Sequence, residues 1–421
     1  MKSWHILFIL LFSGSLFSQN FSDYFETKTL RLDYIFAGNT KQQYAFLDEL
    51  TLLEGWHGRI KHLSETPIQG NGQIRVYSKQ QQLIYVVPFS TLFQEWLTQP
   101  DANILTKSFE NSFLLPYPKD KVLIEVVFFT TDRQAITLLK HEVDPNDVLI
   151  RKPGFGSISP FITLQQAEIS NPIKIAIVAE GYTAVEKELF LQHAQEVVAH
   201  LFKHDIFKKY KNAFDIVAVP LVSEDTDVSI PSKNLWRKTA LQSHFDTFYS
   251  ERYLTTSRVK NLHQKLENIP YQHVIILANT KTYGGGGILN AYTLTTTGHA
   301  DFAPVVVHEF GHSFAGLADE YFYASDVFVN KAVAKTEPWE KNITSLADFN
   351  SKWRDLIPKS TPIPTPDSLK NTVKIGAFEG LKDNGLYIPT HNCRMKTNKA
   401  LDFCPVCSRA IEQLILFYTE D

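Results

Sequence analysis

At 421 residues the chain has room for two domains. Its 44 % hydrophobic and 21 % charged side chains exclude a disordered composition, and 42 basic against 45 acidic residues leave a formal charge of −3. No basic field is on offer to nucleic acid or to an anionic membrane, so neither is expected as a partner.

The first stretch reads as an address rather than architecture. Met1 and Lys2 give a short positive start, residues 6–12 are unbroken apolar, and the Ser-rich residues 13–18 offer small side chains for cleavage. The apolar run falls far short of the ~20 residues that span a bilayer, and no later run reaches that length, so no membrane span is expected. None of the three cysteines, Cys393, Cys404 and Cys407, lies near the cleavage point to carry a lipid. Residues 1–18 are therefore read as the signal peptide of a soluble extracytoplasmic product, periplasmic or secreted.

Residues 19–143 follow as a β-rich stretch. Segments 73–77, 83–87 and 122–130 are rich in Val, Ile, Tyr and Phe and are punctuated by turn residues, which predicts an all-β sandwich. No metal-ligand spacing or nucleophile signature occurs there, so this half is read as an accessory domain, dispensable for chemistry. Residues 144–164, with Asp144-Pro145-Asn146-Asp147 and Lys152-Pro153-Gly154, read as a linker. From residue 165 to 421 the rhythm becomes mixed α/β. Strands are predicted at 173–179, 214–222 and 273–278. Thr183 and Glu186 form a capping box ahead of a helix with Val185, Leu189, Val197, Val198 and Leu201 at helical spacing. Further helices are predicted at 257–266 and 406–418, with a less regular stretch at 324–390.

One segment carries the chemistry: His308-Glu309-Phe310-Gly311-His312. Residues four apart share one helix face, so His308 and His312 can offer two imidazole nitrogens to one zinc ion. In this H-E-x-x-H arrangement the metal polarises a carbonyl and acidifies water, and Glu309 is the general base. Metzincins end that helix at a glycine and take a third ligand three residues on; Gly316 and Asp319 keep that interval, one residue later than usual and with a carboxylate in place of a third histidine. Glu320 beside it is expected to face outward or to orient a histidine. Met395, about eighty residues further on, stands where a Met-turn would lie beneath the metal.

Upstream, Tyr283-Gly284-Gly285-Gly286-Gly287 leads into residues 288–297, read as the sheet edge on which an extended substrate pairs. The substrate-binding candidates are Gly286, Gly287, Ile288 and Leu289; a plain hairpin turn explains the glycines equally well. Tyr321 and Tyr387 are candidate hydrogen-bond helpers in the transition state.

These motifs, with Glu180-Gly181-Tyr182-Thr183, Gly298-His299-Ala300-Asp301-Phe302-Ala303-Pro304, Gly376-Ala377-Phe378-Glu379-Gly380, Asn392-Cys393-Arg394-Met395 and Phe403-Cys404-Pro405-Val406-Cys407, make most of residues 165–421 resemble the bacterial IgA metallopeptidases, a branch of the metzincins. The N-terminal half resembles the accessory domain of that family. The resemblance implies a zinc endopeptidase acting on a protein or peptide substrate, with one catalytic Zn²⁺ on His308, His312 and Asp319 and with Glu309 as base. The rival readings are a surface-binding adhesin on the same scaffold, and a zinc hydrolase of a non-protein amide.

Two side questions stay open in the sequence. His391, Cys393, Cys404 and Cys407 could hold a structural zinc, but export favours one disulfide plus one thiol. Glu224, Asp225 and Asp227 could hold calcium, or form a solvated acidic loop.

Overall fold

The computed structural model describes residues 19–153, 159–321, 335–380 and 385–420. The signal-peptide reading, Gly154 of the linker and parts of the irregular 324–390 stretch lie outside these described residues.

The N-terminal half folds as seven antiparallel strands: β1 (Phe25–Gly38), β2 (Gln43–Leu53), β3 (Gly72–Tyr77), β4 (Leu83–Phe89), β5 (Lys107–Pro118), β6 (Val122–Phe129) and β7 (Ala135–Val143). They form two sheets, ordered β2-β1-β5 and β4-β3-β6-β7. Inward-facing aromatics join the sheets: the ring of Phe36 on β1 lies 5.2 Å from Phe128 on β6, and Phe113 on β5 lies 4.8 Å from Phe89 on β4. Two faces closed over one apolar core make the expected sandwich. After β4 comes the short helix α1 (Leu92–Trp96), capped by Thr91, whose Oγ1 accepts from the Gln94 amide at 3.2 Å.

The second half is built on a six-stranded sheet: β8 (Ile162–Gln165), β9 (Ile173–Glu180), β10 (Phe214–Val219), β11 (His273–Ala278), β12 (Gly285–Ile288) and β13 (Tyr292–Thr296), in the order β12-β13-β11-β9-β10-β8. The four inner strands are parallel and the two outer ones antiparallel to their neighbours. Every residue of β11 is buried, as a parallel strand covered on both faces requires. The stretch read as linker already enters the sheet at β8, because its backbone pairs with β10.

Helices α2 (Lys187–Leu201), α3 (Val259–Lys265), α4 (Phe302–Ala315) and α5 (Pro405–Thr419) pack in this half, with a shorter helix at Asp205–Lys209. The capping box forms, the Thr183 amide donating to Glu186 Oε2 at 2.8 Å. The buried stripe of α2 differs from the predicted one: Phe190, Ala194, Val197 and Leu201 face the core. Val185 is 92 % and Leu189 39 % exposed, since Val185 sits in the tight turn before the helix proper.

The substrate-edge reading needs correction. The strand over residues 292–296 is interior, held between β11 and β12, and the edge is the glycine strand β12 itself. Among the described residues no helix is long and apolar enough to cross a membrane.

Candidate metal centre

Helix α4 packs on the face of β12 and β13, and it comes close because β12 is nearly all glycine. A Cβ on Gly287 would lie 2.3 Å from the Glu309 carbonyl oxygen and 2.9 Å from His312 Cβ; one on Gly285 would lie 2.9 Å from Glu309 Oε1. The backbone that the glycines admit is that of the helix carrying His308 and His312. On the far side, Gly311 leaves room for Met395, whose sulfur would stand 2.7 Å from a Cβ there. Met395 is fully buried beneath the helix.

The helix stops at Gly316, which takes the left-handed conformation at φ 59°. The Leu317 amide bonds the Gly311 carbonyl at 3.2 Å, so the chain reverses and returns Asp319 to the histidines. His308 Nε2 lies 3.0 Å from Asp319 Oδ1 and 3.1 Å from His312 Nε2, and His312 Nε2 lies 3.2 Å from the same Oδ1. Each histidine's other nitrogen meets a backbone carbonyl: His308 Nδ1 meets Arg394 O at 3.0 Å and His312 Nδ1 meets Leu317 O at 2.5 Å. Those partners assign the ring proton to Nδ1 and leave two Nε2 lone pairs and a carboxylate oxygen converging on one point. Only a cation or a shared proton reconciles three acceptors at such distances. A tetrahedral zinc with bonds of ~2.0–2.1 Å would space its ligands by about 3.3–3.4 Å, so the residues fit that ion closely.

The titration of the metal-free cluster shows the same demand. Burial opposes charge on His312, but Asp319 and Glu309 outweigh it and push the imidazole up to about 9. Burial also opposes an ionised Asp319, yet His312 and His308 hold its carboxyl well below the usual carboxylate range. Glu309 is raised, chiefly by burial, with the histidines acting against the shift.

These groups open onto a cleft of about 390 Å³. Gly286, Gly287, Ile288 and Leu289 line it, as do Glu309, His312, Asp319 and Tyr321. The Tyr321 ring stacks on His308 at 5.8 Å. Tyr387 belongs to a small ribbon, Tyr387–Ile388 against Phe378–Glu379, and is not among the residues lining the cleft.

Three features had no signal in the sequence. The N-terminal half supplies Asn71, Ser90 and Glu95 to the cleft wall. Burial raises Glu95 to about 7, and its carboxylate accepts from the Tyr253 hydroxyl. Fully buried Asn342 clamps the ligand loop, its Oδ1 accepting from the Ala318 amide and its Nδ2 donating to the Ala318 carbonyl, both at 2.8 Å. Glu320 neither faces outward nor touches a histidine: it is fully buried against Asn342 and Cys407.

The two side questions also resolve. No calcium cage forms: Asp225 accepts from the Lys238 amide, Asp227 from that of Val228, and Glu224 pairs with the Lys238 ammonium at 3.4 Å. Cys393, Cys404 and Cys407 are buried with no disulfide among them, unlike the expected bridge, and His391 bonds Asp367 instead of joining them.

The profile described as IgA Peptidase M64 matches residues 162–374, just over half of the chain. The chain belongs to the IgA peptidase M64 family. A second profile, Peptidase M64 N-terminus, matches residues 20–140, which hold the sandwich. The peptidase's Met395 and its three cysteines lie beyond the matched span. No curated protein matches the chain.

Proposed function

We propose that this peptidase is a zinc-dependent endopeptidase with a metzincin-like catalytic domain over residues 165–421 and an accessory domain over 19–143, exported by the signal peptide at 1–18. One observation carries the reading: two imidazole nitrogens and one carboxylate oxygen held within 3.2 Å of one another at the wall of an open cleft.

His308, His312 and Asp319 would hold the ion, which when bound polarises a carbonyl and acidifies water. The carbonyls of Arg394 and Leu317 keep both rings oriented. Glu309 projects into the same cleft from the same helix turn, in the space that Gly285 leaves open. Its carboxylate takes a proton from the attacking water and delivers it to the leaving nitrogen, and burial suits it to this by raising its proton affinity. Substrate docks on a short edge. Gly285 is already bonded on its outer side to Arg252 and Leu254, and Leu289 O accepts from the Ser90 amide. Gly287 lies between them with the same outward parity, so a substrate backbone would pair there, over one residue pair rather than a long strand. Tyr321, which lines the cleft and stacks on His308, would support the substrate oxygen through its hydroxyl.

The test is peptide cleavage measured beside zinc content for the wild type and Glu309→Gln. The reading requires a metal-loaded variant that has lost cleavage; near wild-type cleavage by that variant would overturn it.

A further inference from the structure

Behind the ligand loop, on the side away from the cleft, lies a second cluster of donors. Glu320, Cys393 and Cys407 are 0 % exposed and Cys404 3 %. One donor atom from each of the four lies within 4.8 Å of the others. We infer that Glu320, Cys393, Cys404 and Cys407 form a closed zinc site, separate from the cleft, that fastens the loop carrying Asp319 and the segment carrying Arg394 and Met395 to helix α5.

Geometry argues against the disulfide alternative. Cys393 Sγ and Cys407 Sγ are 3.6 Å apart. That is far beyond the ~2.0 Å of an S–S bond, and close to the ~3.8 Å edge of a tetrahedron with Zn–S bonds of ~2.3 Å. Backbone amides face two of the three sulfurs. Cys404 caps the N-terminus of α5, the Cys407 amide points at Cys404 Sγ at 3.5 Å, and the Cys404 amide points at Cys393 Sγ at 3.3 Å.

The carboxylate supplies an independent observation. Glu320 Oε1 meets Asn342 at 3.0 Å and Cys407 Sγ at 3.1 Å, but its Oε2 is buried without a hydrogen-bond partner. Among the described residues no lysine or arginine pairs with this carboxylate; Lys396 Nζ bonds the Glu320 backbone carbonyl instead. A buried, half-satisfied carboxylate among three sulfurs calls for a cation, and three thiolates with one oxygen select zinc. Four protein donors leave no open position, which makes the role structural. The ion would brace the cleft through the chain: Glu320 follows Asp319, and Cys393 precedes Arg394, whose carbonyl orients His308.

Metal analysis of the full chain tests this, with intact mass and zinc X-ray absorption alongside. The wild type should carry about two zinc ions and His308→Ala/His312→Ala about one, the latter with sulfur neighbours at ~2.3 Å. That double variant leaves the cluster untouched, so the test does not depend on a cysteine variant folding. Cys407→Ser and Glu320→Gln should lower the content by about one ion in protein that remains folded by circular dichroism. A folded double-histidine variant without zinc, or an intact mass lower by two hydrogens for a disulfide, would overturn the inference. Failure of the cleft to bind zinc would show instead as a wild type whose only zinc is sulfur-bound.

Discussion

The loop leaving α4 has two faces with different chemistry. On the cleft face the Asp319 side chain is 42 % exposed, with one oxygen shared between two histidines. On the inner face its neighbour Glu320 is fully buried among sulfurs. The two adjacent side chains lie on opposite sides of the loop, so neighbouring carboxylates serve different surroundings. Both faces are tied to one segment: Arg394 O meets His308, and the Glu320 amide donates to Met395 O at 2.9 Å. The contrast teaches that solvent access separates the roles, since an open donor set can admit substrate while a closed one can only hold shape.

The sharpest way to break the contrast is on the open side. Glu309→Gln should lower kcat by at least the ~10²–10⁴-fold that a positioned base contributes, with zinc retained at the histidines. Next comes the pair itself. Zinc affinity at the histidine site, measured by competition with a chromophoric chelator, should fall in Asp319→Ala by more than the ~10–100-fold typical of an outer partner. Glu320→Ala should change it by less, and the reverse order would interchange the roles of the two faces.

Glu95 extends the comparison to the N-terminal half. Its folded pKa of about 7 lies above its ordinary 4.5, so the metal-free fold gains stability from its protonation below that ordinary value and loses it as pH rises through about 7. Glu95→Gln should remove a loss on the order of 1–3 kcal/mol between pH 5 and pH 8, read by urea unfolding of chelated protein. An unchanged pH profile would mean that Glu95 keeps its ordinary carboxylate titration in the fold. Gly287→Ala tests how tightly the helix sits on β12. Overpacking against the Glu309 carbonyl should destabilise by about 1–3 kcal/mol, visible as a lower denaturation midpoint. The smallest effects concern the tyrosines: Tyr321→Phe should reduce cleavage, while Tyr387→Phe, outside the cleft lining, should leave it near wild type.

Elements with a strong local pattern were legible in the chain. The β-rich half, strand 273–278 and the closing helix stand where their patterns predict, and His308, His312 and Asp319 meet as their spacing requires. The shared helix face of residues four apart and a glycine stop are local rules, so they survive without knowledge of the rest of the fold. The glycine strand shows the limit: a run without side chains signals close approach but not of what, and here it is α4 that fills the space the missing side chains leave. Glu95, Asn342 and the company of Glu320 had no local signature at all. Glu95 reaches Tyr253, Asn342 reaches Ala318 and Glu320 reaches Cys407 across long stretches of chain, so only the packing of sheet, ligand loop and closing helix could decide those roles. The sequence by itself determined the turn that gathers His308, His312 and Asp319 and the strand pattern, because both are set by backbone periodicity. The tertiary structure alone decided which carboxylate meets water and which meets sulfur, because burial belongs to the assembled fold.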